Sequence, residues 1–591
     1  MTRRLLLLAL SLFSPLIAWA SGISYVVDFE GLDDGSILKT IKSISQLTLL
    51  KKHPPPSINA LRFRAESDVP EILKVLRAHG YYEAKIDMRI EEIFEQYHVI
   101  VMIDPGPAYK LEDYAVHIYG KDVQDPIICL QVQPKTIGII LGKPPYAARL
   151  IEAELKALRL LSECGYPLAH IDKRDIIADG ATKSVRIRLD IQAGPLCHFG
   201  SSTISGEKRV KPQFIETKLK WKRGEVYNSL KVEETQKTLM DTGLFSSVLI
   251  SHEESLGEDG SLPMRLELTE SKYRSVNIGA SYQTHWGPGI TFGWENRNVG
   301  GLGRKLSLQG DVTKKNHSGI ATYSIPDFRR LGQDLLWQAQ AAHEAILAYS
   351  QRSYSFANRL DRKVGRRFSL SVGGKLERLY VTASVDNGNF WLVEVPLYVR
   401  WSSANSLLNP TKGATLEYRA IPSVNIDKVS QYYLIQELIQ SSYWSVVKSE
   451  VLVLAQKITL GSILSNSLHA VPLSKRFLGG SEEELRGYHY RSVSPLEEHK
   501  KPAGGRSAIY YTFEMRLRVS KTLGLVPFYD MGKVQKEQIQ TFKGKWFKSV
   551  GLGLRYFSFI GPLRLDIGFP LDRRKELDSP YRVLVSIGQM F

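Results

Sequence analysis

Two stretches of this 591-residue chain bring together residue types that could do catalytic chemistry, and neither has the spacing for it. Gly138-Ile139-Ile140-Leu141-Gly142-Lys143-Pro144 has the glycines and lysine of a phosphate loop. It is one residue short, and proline stands where a Ser or Thr hydroxyl would have to hold magnesium. His252-Glu253-Glu254 lacks the second histidine of a zinc-binding helix. No Gly-x-Ser-x-Gly elbow exposes a serine nucleophile, which excludes a fused lipase. Ser, His and Asp occur throughout with no spacing that unites them. The sequence predicts no catalytic residue, no cofactor and no metal, so the expectation is a protein that is not an enzyme.

The elements that hold these residues belong to an exported chain of several domains. Arg3 and Arg4 precede an apolar run over residues 5–10, and Ala18-Trp19-Ala20 supplies the small-x-small pattern of a cleavage site. Residues 1–20 are therefore expected to be a signal peptide. No later segment offers the 18 or more consecutive apolar residues of a membrane helix. About 570 mature residues exceed one ordinary core. The formal net charge of +17 favours anionic surfaces. In an exported chain that means lipid headgroups or lipopolysaccharide before nucleic acid, unless Lys and Arg simply coat loops and a lumen. Cys129, Cys164 and Cys197 fall within one short stretch. Export permits one disulfide there, with Cys164–Cys197 the first pairing to test and Cys129 the rival partner; three buried thiols are the alternative.

The first part of the chain repeats at roughly 80–90 residues. Each repeat opens with a strand closing on glycine: Val27-Asp28-Phe29-Glu30-Gly31, Val116-His117-Ile118-Tyr119-Gly120 and Thr203-Ile204-Ser205-Gly206. Each then has an amphipathic helix ending before Gly80-Tyr81, Gly165-Tyr166 or Gly243-Leu244, where glycine adopts positive φ and the next side chain packs back on the last turn. Two strands complete each repeat, the last over residues 97–103, 185–191 and 264–268. Gly106-Pro107 and Gly194-Pro195 read as hinges. The predicted units span residues 21–107, 108–197 and 198–273, each with the order β-α-α-β-β.

From about Tyr273 the helical period disappears. Trp391, Val393, Val395, Leu397, Val399 and Trp401 share one strand face, with Glu394, Tyr398 and Arg400 on the other. Leu563, Leu565, Ile567 and Phe569 alternate with Arg564, Asp566 and Gly568. This dyad is what a membrane barrel wall requires, apolar outward and polar inward. About sixteen such strands fit residues 274–591, the last ending on the aromatic Phe591.

Between the expected eleventh and twelfth strands, residues 469–506 contain Phe477-Leu478-Gly479-Gly480 and Leu485-Arg486-Gly487-Tyr488. Gly504-Gly505 then precedes a strand bearing Glu514. Next come Phe528-Tyr529-Asp530-Met531-Gly532, Gly551-Leu552-Gly553-Leu554-Arg555-Tyr556 and Gly561-Pro562-Leu563-Arg564-Leu565-Asp566. In this order and spacing the region resembles the BamA/TamA superfamily of outer-membrane assembly barrels. Arg486-Gly487-Tyr488-His489-Tyr490-Arg491-Ser492-Val493-Ser494-Pro495 most resembles its TamA-like branch.

The resemblance implies three tandem β-α-α-β-β POTRA (polypeptide-transport-associated) domains followed by a C-terminal 16-stranded antiparallel transmembrane β-barrel. The barrel would lie in the bacterial outer membrane and the POTRA domains in the periplasm. Three such domains suit the TamA-like branch; BamA-like proteins carry five and two-partner-secretion transporters usually two. The loop is implied to fold into the lumen with Arg486, Gly487 and Tyr488 at its tip, where Arg486 meets Glu514 and Asp530. Elementary electrostatics agrees, because an arginine in a partly dehydrated lumen is costly unless paired and its fork of donors suits carboxylates.

A closed barrel has no edge to offer, so an assembly barrel must open between its first and last strands. Gly279 in the expected first strand, and Gly588 and Phe591 in the last, mark that seam; glycine weakens strand pairing there. An incoming client would add its strands by β-augmentation. The implied partners are a TamB-like inner-membrane protein at the first POTRA domain, unfolded outer-membrane client polypeptides and outer-membrane lipid, with no nucleic acid. The rival readings are a BamA-like general assembly protein, a two-partner-secretion transporter, and the outer-membrane end of a phospholipid-transfer system. A simple diffusion pore is opposed by the plugging loop.

Overall fold

The computed structural model describes residues 22–94, 96–120, 132–383, 386–427, 431–446, 450–497, 500–558 and 561–587. The leader at 1–20, Cys129, Gly588 and Phe591 lie outside this set.

Three small three-stranded sheets come first, and they share one topology. In the first, Tyr25–Glu30 runs parallel to Gln96–Asp104, which also pairs antiparallel with Lys85–Ile93. A parallel pair needs a crossover, here the helices Gly35–Ile44, Gln46–Leu49 and Ile58–Ala78. The capping chemistry is local. The Asp34 carboxylate accepts from the backbone N–H groups of Ser36 and Ile37 at 2.8 and 3.3 Å. Asp68, buried in the long helix, accepts from the Ser45 hydroxyl and the Gln46 and Leu47 N–H groups, tying the short helix to the long one. Gly80 sits at φ +91°, and the Tyr81 N–H reaches back to the Leu76 carbonyl at 3.0 Å. Ile41, Leu61, Ile72, Leu76, Val99 and Val101 are fully buried beneath that helix layer.

The second sheet orders Lys110–Tyr119, Ser184–Gln192 and His170–Asp179, and the third Phe199–Ser205, Leu262–Glu270 and Phe245–His252. The first repeat thus carries three helices where two were expected, because Asp68 stabilises an extra turn at Gln46–Leu49. The expected thiol pairing is a correction. Backbone pairing of the Cys197 N–H with the Gly165 carbonyl brings the two segments together at 2.9 Å, yet no disulfide joins Cys164 to Cys197. The buried Cys197 Sγ turns to the Pro195 carbonyl at 3.4 Å instead.

From Arg274 onward one antiparallel sheet contains 17 strand segments, from Arg274–Gln283 to Arg582–Ile587. They make sixteen passes, because Gly388–Glu394 and Leu397–Ser402 are halves of one pass. Both pair with Phe368–Ala383 on one side and Gly413–Asn425 on the other. The break falls at Val395-Pro396, where proline has no N–H to give the ladder. The side-chain phase runs through it undisturbed. Leu563, Leu565, Ile567 and Phe569 face outward and are exposed, while Arg564 and Asp566 between them are buried inward. No described helix is long and apolar enough to cross a membrane.

Gly279 lies in the first strand opposite Thr291, whose hydroxyl would be 2.8 Å from a Cβ added there. Among the described residues no backbone pairing joins the first strand to the last.

Candidate functional site: a loop latched inside the barrel

The strands Leu452–Ser465 and Ser507–Arg518 are joined by a long segment that has its own scaffold. Isolated bridges pair Phe477 with Gly505, Gly479 with Val493 and Leu496 with Pro502, so the segment runs inward and back as a ribbon. Gly480 is required where it stands: its φ is +95°, and a Cβ there would lie 2.3 Å from the His489 carbonyl. The tip is a tight turn closed by the Tyr488 N–H on the Leu485 carbonyl at 3.0 Å. Arg486 and Gly487 are its two central residues.

At this tip Arg486 has no exposed surface. Its Nε and Nη2 donate to the two oxygens of Asp530 at 2.9 and 2.7 Å, a bidentate fork. Its backbone N–H adds a third bond to Asp530 at 3.0 Å. Nη1 donates to Glu514 at 2.7 Å and to Asp566 at 3.3 Å. The guanidinium also lies flat against Phe528, 3.4 Å from the ring centroid.

The three carboxylates would repel one another without further cations. Arg516 donates to Glu514 at 2.9 Å, Arg564 to Asp566 at 2.8 Å, and Arg555 pairs with Asp566. The result is a buried network of four arginines and three acids.

Strand register assembles it. One row across five neighbouring strands reads Glu514, Phe528, Gly551, Gly568, Arg582. The glycines make room in that row. A Cβ at Gly551 would come 2.1 Å from the Phe528 ring. One at Gly568 would meet the Arg486 and Gly487 backbone at 3.0 Å. Gly487 answers from the loop side, since a Cβ there would meet the Pro570 nitrogen at 2.8 Å. Loop and wall approach backbone to backbone, which only glycine allows. Tyr488 completes the tip: its hydroxyl donates to the Lys548 carbonyl at 2.9 Å, its ring stands edge-on to Phe547, and its carbonyl accepts from Arg582 at 2.5 Å.

The structure thus brings together Arg486, Gly487, Tyr488, Glu514 and Asp530 at one place in the lumen, and sets Gly279 apart in the first strand. Sequence reasoning missed Asp566, Phe528 and the three supporting arginines. A signal was present, because Arg564 and Asp566 share the inward phase of their strand. It also missed a second anchorage at the base of the loop. Lys475 pairs with Glu377 and Glu394 at 2.5 and 3.0 Å, and the buried Arg476 with Asp386 at 2.6 Å. Among the described residues no group of three or more His, Cys, Asp or Glu is placed to hold a metal ion.

Residues 298–591 match the Omp85 superfamily domain, and residues 198–267 match a POTRA domain of the surface antigen variable number repeat type. The chain is 23% identical over 552 residues to the outer membrane protein assembly factor BamA of Nitratidesulfovibrio vulgaris, covering 89% of this chain and 68% of that protein. It is 19% identical over 491 residues to the BamA of Neisseria meningitidis serogroup B, covering 73% and 61%. The chain therefore spans about two thirds of the length of these relatives. The crystal structure of BamA from Haemophilus ducreyi lacking POTRA domains 1–3 aligns with a TM-score of 0.70 at 16% identity, covering 80% of this chain and 99% of that one, a likeness of fold.

Proposed function

We propose, from the premise that this chain belongs to the BamA/TamA (Omp85) superfamily, that it is an outer-membrane assembly factor which inserts β-barrel or autotransporter-type clients through the seam between its first and last strands. The observation that carries this reading is the buried tip of the loop. A loop whose arginine is held by three acids lies inside the lumen, where a diffusion pore would need water. A plugged barrel is suited to work at its wall, where strand edges can template an incoming chain. In this reading Arg486, Gly487, Tyr488, Glu514 and Asp530 form the latch that keeps the loop in place. Gly279, Gly588 and Phe591 belong to the seam.

The three small units point to the TamA-like branch, whose periplasmic end would meet a TamB-like inner-membrane protein through the first unit. Phe63, on the long helix of that unit, is 72% exposed and offers an apolar point of contact.

Depleting the protein and comparing the outer-membrane proteome with the phospholipid content tests the reading. Loss of several barrel proteins or autotransporters at unchanged lipid content is the expected result. Altered lipid distribution with an intact proteome would move the assignment to lipid transfer, and loss of one secreted substrate to two-partner secretion. A photo-crosslinker at Phe63 should capture a long inner-membrane-anchored protein; capture of soluble chaperones alone would remove the bridging partner from the proposal.

A further inference from the structure

The outward face of the barrel is not uniform. Across the strands Arg304–Thr313, Asn316–Ile325 and Gln333–Ala345 the outward positions drop from large to small side chains, with Gly319, Ala321, Ala339 and Ala341 forming a floor. Leu308 borders this floor on one side, and Tyr354, Phe356 and Trp391 border it on the other. The open depression measures about 640 Å³. Glycine inside a strand costs stability and often marks a place where something approaches the backbone. Here a Cβ added at Gly319 would meet nothing within 4 Å, so the space above it is empty of protein.

One row nearer the end that bears the long loop, the outward side chains become basic. His317, His343, Arg352 and Tyr380 stand side by side in register, and the two imidazole rings stack at 6.0 Å. A backbone contact from the His343 Nδ1 to the Gln351 carbonyl at 3.1 Å holds that ring in place. Arg378, one row below, is already matched by Asp427 at 2.7 Å and lies over Trp391. Arg352 has no acidic partner among the described residues.

Its height on the barrel is set by the same strand. Arg352 and Arg362 both point outward ten residues apart. At a rise of about 3.3 Å per residue and a tilt of about 40°, that is roughly 25 Å, the height of the apolar band of a membrane barrel. Arg352 therefore lies at the outer headgroup level, directly above an open apolar trough.

We infer that this wall binds one phosphorylated glycolipid of the outer leaflet, with an acyl chain in the trough over Gly319 and a sugar phosphate against Arg352 and the His317–His343 pair. The charge decides the headgroup, since a fork of donors without a carboxylate partner suits a phosphate bidentately. The lining decides the tail, since a floor of glycine and alanine bordered by Leu308 and aromatic rings offers apolar contact along one acyl chain. The site begins on the third strand, Arg304–Thr313, and shares no residue with the seam positions.

The test is native mass spectrometry of the full chain in detergent, titrated with bis-phosphorylated hexa-acyl lipid A, its dephosphorylated form, and phosphatidylglycerol. One saturable adduct with the bis-phosphorylated lipid is expected. Arg352→Gln and Gly319→Leu should each weaken it at least tenfold, the second by filling the trough, and Arg362→Gln should leave it unchanged. Heat-modifiable migration confirms that each variant has folded, and Arg352→Gln carries the test alone should Gly319→Leu fail to insert. Equal binding by all variants, unsaturating multiple adducts, or equal affinity for either control lipid would overturn the site.

Discussion

The latch in the lumen and the junction between the first two small units use the same chemistry and get different results from it. At the junction the Lys183 ammonium and the Tyr109 hydroxyl both donate to Glu83, the hydroxyl at 2.8 Å. The Lys183 and Glu83 side chains remain 39% and 42% exposed, so water and salt compete with every contact. In the lumen Arg486, Glu514, Asp530 and Asp566 are sealed from solvent. Removing Arg486 there takes from Asp530 the guanidinium it is paired with, while Glu514 and Asp566 keep Arg516, Arg555 and Arg564. Losing one partner of an ion pair thus costs little where water can replace it and much where it cannot. Losing a contact at the junction is therefore expected to cost less than losing one at the loop tip.

Arg486→Ala should sharpen this contrast most. Breaking one side of a buried pair costs about 3–5 kcal/mol, and here buried Asp530 would lose its guanidinium. The strand ladder does not depend on the loop, so the variant should insert and remain heat-modifiable while residues 469–506 become open to protease. Arg486→Lys should restore protection only in part, because an ammonium cannot make the fork to Asp530. A protease-resistant loop in Arg486→Ala would show that the base anchors Lys475 and Arg476 hold it unaided.

Gly568→Ala comes next, with an expected loss of about 1–3 kcal/mol from overpacking where loop and wall backbones meet. Thermal loss of loop protection in an otherwise intact barrel is the readout. A variant as protected as the parent would mean that the wall yields without moving the tip. A double-mutant cycle of Arg486→Ala with Asp530→Asn should depart from additivity by about 0.5–3 kcal/mol. Additive losses would end the claim that these two residues act as one latch.

The smallest effect is expected at the junction. Lys183 and Tyr109 hold the Glu83 carboxyl below its ordinary range by hydrogen bonding. A depressed carboxyl contributes above its unfolded pKa, and that contribution fades as pH falls through its folded value. The distance distribution between spin labels on the first and second units should therefore be narrow at neutral pH and broaden only under strongly acidic conditions. Glu83→Gln and high salt should each reproduce a slight broadening at pH 7. No change under any of these conditions would assign the junction to the Tyr109 N–H on the Gly80 carbonyl, a backbone bond at 3.0 Å.

Much of the architecture was legible because its signals are local. Glycines at 80, 165 and 243 end helices by their own conformational freedom, and all three take positive φ. Alternation revealed the wall even across Pro396, where the ladder breaks but the side-chain phase does not. The extra helical turn at Gln46–Leu49 was not legible, since it depends on Asp68 reaching back from another helix. Nor was the state of the cysteines, since a separation along the chain says nothing about which way Cys197 turns its sulfur.

The sequence by itself determined which side of each strand faces lipid, where helices stop, and that a charged turn at Arg486 needs acids. Those follow from periodicity and from the cost of an unpaired ion, which hold wherever the residues end up. The resemblance had already named Glu514 and Asp530, and only the tertiary structure added Asp566. Arg486 finds Glu514, Asp530 and Asp566 at separations of 28, 44 and 80 residues, and Phe528 slides beneath the guanidinium because Gly551 leaves it room. Strand register brings such distant positions onto one inward patch of neighbouring strands, and a shift of a single residue in any of these strands would turn its charge outward into lipid.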